Sequence, residues 1–273
     1  MNRILKEDYQ KFAIVVPCYH VENRFPHHHF LTFAKLNPDV LLCFVNDGSK
    51  DNTSGVLKGI QMQSPDNIVV LNLKENGGKS AAVRHGMLYV HSKYSMNLLG
   101  FLDADMATTP EEWLKMALYK ESYPKFGAIV GSRIQRIRAE ISSNEKDSLW
   151  KSILRLVVKG ILKTNFQDTQ CGAKIFQRSL VPFLFAEPFQ TSGLFDVEIF
   201  LRLQQKFGKT SLQKGVLEFP LMQWAEKGET RMKLIDSFKI PFQLFQLYYT
   251  YRFTPMFYHK SETMPLIPNN KRN

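Results

Sequence analysis

Five short apolar, β-branched runs, at residues 12–16, 40–45, 68–73, 98–102 and 128–130, constrain this chain most. Each is long enough for a buried strand and too short for a helix. Between them lie segments of helical character. Over residues 79–92, Ala82, Val83, Met87 and Val90 form an apolar stripe, and residues 111–119 follow Pro110, a good first helical residue. Strands alternating with helices imply an α/β fold around a mostly parallel, doubly wound sheet. The chain has 273 residues and 44% hydrophobic content, enough for one large domain plus an appendage with a buried core, which argues against disorder.

Polar, turn-forming residues follow the strands directly, at 17–22, 46–51, 75–79 and 103–109. Ligands of open α/β sheets bind at the carboxyl ends of strands. Residues 12–133 therefore look like a nucleotide-binding half. Residues 134–258 would complete the same domain as an acceptor half, and 259–273 read as a flexible tail.

The motifs sharpen this expectation. Asp103-Ala104-Asp105 follows a buried run, so both carboxylates should emerge into the ligand crevice, where hard oxygens can hold Mg²⁺ or Mn²⁺ against a diphosphate. Asn46-Asp47-Gly48-Ser49 ends another strand, and Asp47 can accept hydrogen bonds from a base or ribose or simply make a turn. Asn76-Gly77-Gly78-Lys79-Ser80 opens a helix and resembles a phosphate cradle. A P-loop would need glycine where Leu73 stands, and no Gly-x-Gly-x-x-Gly occurs, which counts against P-loop NTPases and dinucleotide dehydrogenases. Three consecutive histidines, His27 to His29, cannot all converge on one ion from a helix or strand. Cys171 has no evident histidine partner and reads as packed wall rather than nucleophile.

Three scattered cysteines exclude a disulfide framework and fit a reducing cytoplasm. The chain shows no signal peptide and no run of about 18 apolar residues, so it is expected neither to leave the cell nor to span a membrane. A net charge of +11 points to an anionic partner without naming it. Residues 142–166 read as one basic amphipathic helix, with Trp150, Leu154, Val157, Val158 and Ile161 apolar and Lys151, Arg155, Lys159 and Lys163 four apart. That face can be solvated or can meet a membrane or acceptor. A second segment, 238–253, is rich in Phe and Tyr; it can lie in a bilayer interface or pack on the core.

Taken in order, these motifs resemble glycosyltransferase family 2, most closely its polyprenyl-phosphate and dolichyl-phosphate glycosyltransferases, over roughly residues 12–235. The resemblance implies a GT-A type fold and a nucleoside diphosphate sugar donor of the UDP-glucose or GDP-mannose type. It makes Pro17, Tyr19 and Glu22 nucleotide contacts, with His20 and Val21 departing from the family pattern. It makes Asp47 a reader of the nucleoside, places Lys79 and Arg84 at the donor-side helix start, and matches Asp103, Ala104 and Asp105 to the metal motif. Gly131-Ser132-Arg133 is similar to a segment whose arginine faces acceptor and donor phosphates. Asp168-Thr169-Gln170-Cys171-Gly172 is similar to a glucosyl-type signature, with Ala173 where an aromatic residue is usual, and Gly228-Glu229-Thr230-Arg231 to a mannosyl-type one.

The expected reaction is an inverting single displacement onto a polyprenyl phosphate by a peripheral enzyme on the cytoplasmic face of a membrane, with no nucleic acid partner. Asp168 would orient or activate the acceptor, and Arg133, Arg155 and Arg231 would position its phosphate. A sugar hydroxyl in cell-surface glycan assembly is the alternative acceptor. It would demand a general base, which Asp168 or Asp196 would supply. A nucleotidyltransferase should open with a glycine-rich loop, and Pro17-Cys18-Tyr19-His20 is not one.

Overall fold

A computed structural model describes residues 10–133, 157–162, 164–208, 212–222 and 234–253. All five apolar runs become strands: β1 (Phe12–Cys18), β2 (Val40–Asn46), β3 (Ile68–Asn72), β4 (Leu98–Phe101) and β5 (Ala128–Ser132). Along β1 the pleat sends Ala13 and Val15 to one core and Phe12, Ile14 and Val16 to the other, all fully buried. A run apolar on both faces marks a strand sandwiched between helical layers.

Between these strands lie α1 (His27–Leu36), α2 (Thr53–Gln63), α3 (Lys79–Lys93) and α4 (Pro110–Ser122). Thr109 caps α4 by accepting the Glu112 N–H at 3.3 Å. The fully buried Glu112 carboxylate then accepts the Met222 N–H at 2.8 Å and takes Lys115 at 3.1 Å. The helix start beside residues 103–109 is thus anchored to a segment 110 residues further along the chain.

Two strands lack an apolar signal. β6 (Lys174–Gln177) has only four residues and opens on a lysine, whereas β7 (Val216–Pro220) carries Glu218 and ends on proline. The seven strands run in the order β3-β2-β1-β4-β6-β5-β7, and β6 is antiparallel to both its neighbours. The sheet is otherwise parallel, as expected, and strands from before and after residue 133 interleave within it.

After β6 come α5 (Val181–Phe185), α6 (Phe195–Phe207) and α7 (Leu234–Phe253). Of the basic segment 142–166, residues 157–162 are helical and 164–166 are not, and Trp150, Lys151, Leu154, Arg155 and Lys163 lie outside the described residues. Val158 is buried, but Val157, expected on the apolar stripe, is exposed.

A buried polar latch docks α7 on α6. Arg202 pairs with Glu198 at 2.8 Å and donates to the carbonyls of Leu184, Glu187 and Pro188. The Tyr251 hydroxyl donates to Glu198 at 2.6 Å and accepts from Arg202 Nε at 3.0 Å. Both charges are nearly inaccessible, so each needs the other and every remaining bond. Tyr251→Phe is expected to cost about 2 kcal/mol of stability, the usual worth of a hydrogen bond to a charged group. Urea unfolding measures it, and an unchanged midpoint would refute the latch.

Candidate active site

The chain passes from β1 to β2 and β3 on one side, then returns to β4 on the other side of β1. That reversal opens a crevice at the carboxyl ends of β1 and β4, where doubly wound sheets bind ligands. The loops after β1, β2, β3 and β4 and the segment 168–172 enclose it, and neighbouring loops brace one another.

Pro17 lies in β1 beside Val45 of β2. After β1, Tyr19 stands exposed with its ring stacked 4.0 Å from that of His20. His20 adopts a left-handed φ of 48°, and its N–H donates to Ser49 Oγ while its Nε2 accepts the Lys50 N–H. Glu22 accepts the Asn52 N–H at 3.1 Å, and its own N–H donates to Asp51. The loop after β1 is therefore bound to the loop after β2.

Asp47 is buried, donates its N–H to the Cys18 carbonyl at 2.9 Å and accepts the Gly77 N–H on Oδ1 at 3.0 Å. The next residue, Gly48, has φ +62°, and a Cβ there would lie 2.5 Å from the Glu75 carbonyl carbon. Only glycine permits this contact, which seats the 75–78 loop against β2. Asp47 is thus placed between the first loop and the start of α3.

Lys79, first residue of α3, pairs with Asp103 Oδ1 at 2.5 Å and lies 5.7 Å from the Phe195 ring centroid. Burial pulls the Lys79 ammonium down, but attraction to Asp103, Asp196 and Asp105 outweighs it and raises its pKa. Asp105 accepts the Ala107 N–H at 2.9 Å. Its pKa is raised, chiefly by desolvation and further by the Asp103 charge, against the Ala107 N–H, Lys79 and Arg24. Met106 follows with φ +61°, a left-handed turn that costs a side-chain residue about 1–2 kcal/mol. Backbone strain of this kind collects at functional loops. Asp103 and Ala104 are half-buried and Asp105 exposed, so the triplet leads from sheet to crevice.

Gly172 closes the other side. A Cβ on it would lie 2.2 Å from Asp103 Oδ2, so any side chain must displace that carboxylate. Gly172→Ala is expected to lower turnover roughly a hundredfold, the usual cost of misplacing a reacting group by about 1 Å. Initial rates check this, and wild-type rates would show that Asp103 does not depend on the contact.

At the other end of the same segment, Asp168 holds Arg133 with both oxygens, Nε at 2.5 Å and Nη2 at 2.8 Å, and accepts the backbone N–H groups of Arg133 and Gln170. Burial opposes the charge on Asp168, but the Arg133 bonds and charge prevail and lower its pKa. Arg133 is likewise raised, its pairing with Asp168 outweighing burial. Glu218 supports the pair from β7 by accepting the N–H groups of Gln167 and Asp168 at 2.9 Å. Lys174, fully buried, donates to the Cys171 carbonyl at 2.7 Å and pairs with Asp196.

Sequence reasoning missed Glu218, Lys174 and Phe195, whose roles exist only in tertiary contact. Arg84 donates to the Ala186 carbonyl at the end of α5, and burial lowers its pKa. Arg155 and Arg231 lie outside the described residues. His27, His28 and His29 form the exposed first turn of α1, where His29 meets Glu111 at 3.0 Å. Cys171 is buried and its thiol is pushed up to about 11 by burial, which suits packing and not nucleophilic attack.

The family model for glycosyl transferase family 2 matches residues 13–185. This chain belongs to glycosyltransferase family 2. A dolichyl-phosphate beta-glucosyltransferase of Trichomonas vaginalis is 30% identical over 86% of this chain and 70% of its own length. Enzymes of the same name from Dictyostelium discoideum and Homo sapiens are 30% and 32% identical, and the chain covers 62% of each. Among solved structures, glucosyl-3-phosphoglycerate synthase of Mycobacterium tuberculosis matches 87% of this chain and 80% of its own with a TM-score of 0.64 at 12% identity. Mannosyl-3-phosphoglycerate synthase of Rubrobacter xylanophilus gives 0.64 at 16% identity, covering 87% of this chain and 73% of its own. The family 2 chain is thus a glycosyltransferase with the GT-A fold. No helix among its described residues is long and apolar enough to cross a membrane.

Proposed function

We propose that this glycosyltransferase moves glucose from UDP-glucose to dolichyl or another polyprenyl phosphate, with inversion at the anomeric carbon, on the cytoplasmic face of a membrane. The relatives named above are glucosyltransferases of dolichyl phosphate, and one structural neighbour was crystallised with Mn²⁺ and UDP-glucose. The glucosyltransferase names do not support a GDP-mannose donor, and the mannosyl-3-phosphoglycerate synthase, at 16% identity, is a likeness of fold alone. Residues 12–133 would hold the donor and 134–258 the acceptor.

The observation that carries the acceptor assignment is the state of the two carboxylates nominated as bases. Asp168 is engaged on both oxygens by Arg133, which lowers its pKa and makes it a poor proton acceptor, and Asp196 is committed to buried Lys174. A phosphate acceptor needs no base, because its second pKa is about 6. It needs fixed cations, and an arginine guanidinium oriented by a carboxylate, as Arg133 is by Asp168, supplies one. Asp168 then positions Arg133 and takes no proton. A sugar hydroxyl, the alternative acceptor, finds neither Asp168 nor Asp196 free to serve as its base.

Asp103 and Asp105 supply hard oxygens suited to Mg²⁺ or Mn²⁺. Among the described residues no third metal-ligating side chain joins them. That fits ions which take one or two carboxylates and complete their shell with phosphate and water. Such an ion, when bound, neutralises charge on the leaving diphosphate. Lys79 adds a cation at the mouth of α3, Asp47 is placed to read the nucleoside, and Tyr19 with Glu22 borders the base.

A thermal melt tests the donor. With Mn²⁺ present, UDP at a hundred times its Kd should stabilise the protein by about 2.7 kcal/mol, since it binds only the folded state. GDP should do far less. Equal shifts with both, or none with UDP, would contradict the assignment.

A further inference from the structure

Helix α7 is apolar on two opposite faces, and among the described residues only one has a partner. Ile240, Leu244 and Leu247 are buried against the core, with Tyr251 latched to Glu198 and Arg202 beside them. Half a turn away, Phe242, Phe245, Tyr249 and Phe253 recur once per turn at 71%, 65%, 57% and 65% exposure. Three of these rings form a ladder, with Phe245 and Tyr249 6.4 Å apart and Tyr249 and Phe253 5.0 Å apart. A surface helix ordinarily carries polar residues on the face opposite its core-facing stripe. Holding four aromatic side chains in water forfeits the gain expected from covering them, and contiguous patches of this kind mark interaction sites.

We infer that the Phe242-Phe245-Tyr249-Phe253 face docks this enzyme on the headgroup boundary of a phospholipid bilayer. This rests on the proposed lipid-phosphate acceptor, which would itself reside in such a bilayer. Charge favours a bilayer over a second copy. Residues 240–253 contain no Asp or Glu and one cation, Arg252, in a chain of net charge +11, so two copies would repel where an anionic leaflet attracts. Ring chemistry agrees, because Tyr249 suits the interfacial depth of a membrane and phenylalanines suit the buried face of a helix lying there. The docking is also stiff and close to the chemistry. α6 carries Asp196 in its first turn and the Glu198–Arg202 latch just beyond, so the membrane-facing helix is braced on a helix that reaches the candidate site.

The test uses the full chain and a variant combining Phe242→Ser, Phe245→Ser, Tyr249→Ser and Phe253→Ser. All four residues are exposed, so the melting temperature should hold within the range of ordinary surface changes. Wild type should co-sediment with phosphatidylcholine vesicles containing phosphatidylserine, and the variant should lose roughly tenfold or more of that binding. Transfer to acceptor embedded in vesicles should fall in parallel, while transfer to a water-soluble short-chain prenyl phosphate should match wild type. Equal vesicle binding by the two proteins would overturn the inference. So would a wild-type dimer that ignores vesicles and dissociates in the variant, which would give the face to a second copy. If neither protein transfers sugar to any prenyl phosphate, yet vesicle binding is present and lost in the variant, the acceptor assignment fails and the docking face stands.

Discussion

Asp105→Ala should lower kcat/KM for sugar transfer about a thousandfold or more, equivalent to about 4 kcal/mol of lost transition-state stabilisation. It should do so without destabilising the fold. Asp105 is exposed as a residue, but its carboxylate is partly desolvated and lies near the Asp103 charge, which together raise its pKa, so folding spends free energy to keep it charged. Removing it relieves that cost. A melting temperature equal to or above wild type, measured alongside the rates, separates loss of chemistry from loss of structure. Rates within tenfold of wild type would remove Asp105 from the donor site.

Arg133→Ala should have the second-largest effect, in two assays at once. Loss of a cation aimed at developing or transferring charge commonly costs a hundredfold to a thousandfold in kcat, about 2.7–4 kcal/mol. Asp168 is 4% exposed, so its charge would also lose its partner in the interior, at about 3 kcal/mol of stability. The double change Arg133→Ala with Asp168→Ala should be as inactive as the single change yet more stable than it. Asp168→Asn gives the matching pH signature. Because the folded-state pKa of Asp168 is lowered, its contribution is present above the ordinary aspartate value of about 3.9 and lost as pH falls through the folded value. The stability gap between wild type and Asp168→Asn should therefore shrink in acid. A gap constant down to low pH would show that the pair does not stabilise the charged form.

Five of the seven strands were legible because β1, β2, β3, β4 and β5 are mainly apolar runs, which suits strands covered on both faces. β6 escaped because Lys174, at its start, is a buried charge that makes sense only beside Asp196 and the Cys171 carbonyl. β7 escaped because Glu218, pointed at the Gln167 and Asp168 amides, looks like a surface residue in isolation. The same division runs through the candidate site. Asp47, Lys79, Asp103 and Asp105 announce themselves as polar groups directly after strands or at a helix start. The role of Gly172 depends on an approach to Asp103 from 69 positions away in the chain, and no local pattern encodes it. Arg84 matched a motif, yet its donation to Ala186, 102 residues distant, ties it to the fold. For α7, interface and core were posed as rival environments. The helix has one face in the core and the other exposed.

The transfer of labelled glucose from UDP-glucose to dolichyl phosphate, with Mn²⁺ or Mg²⁺ and again with a chelator, tests the central claim most directly. An organic-extractable β-linked glucosyl phosphate should form only with the metal and disappear in Asp105→Ala. Donor hydrolysis without lipid product, or lipid product that persists in the chelator, would contradict it.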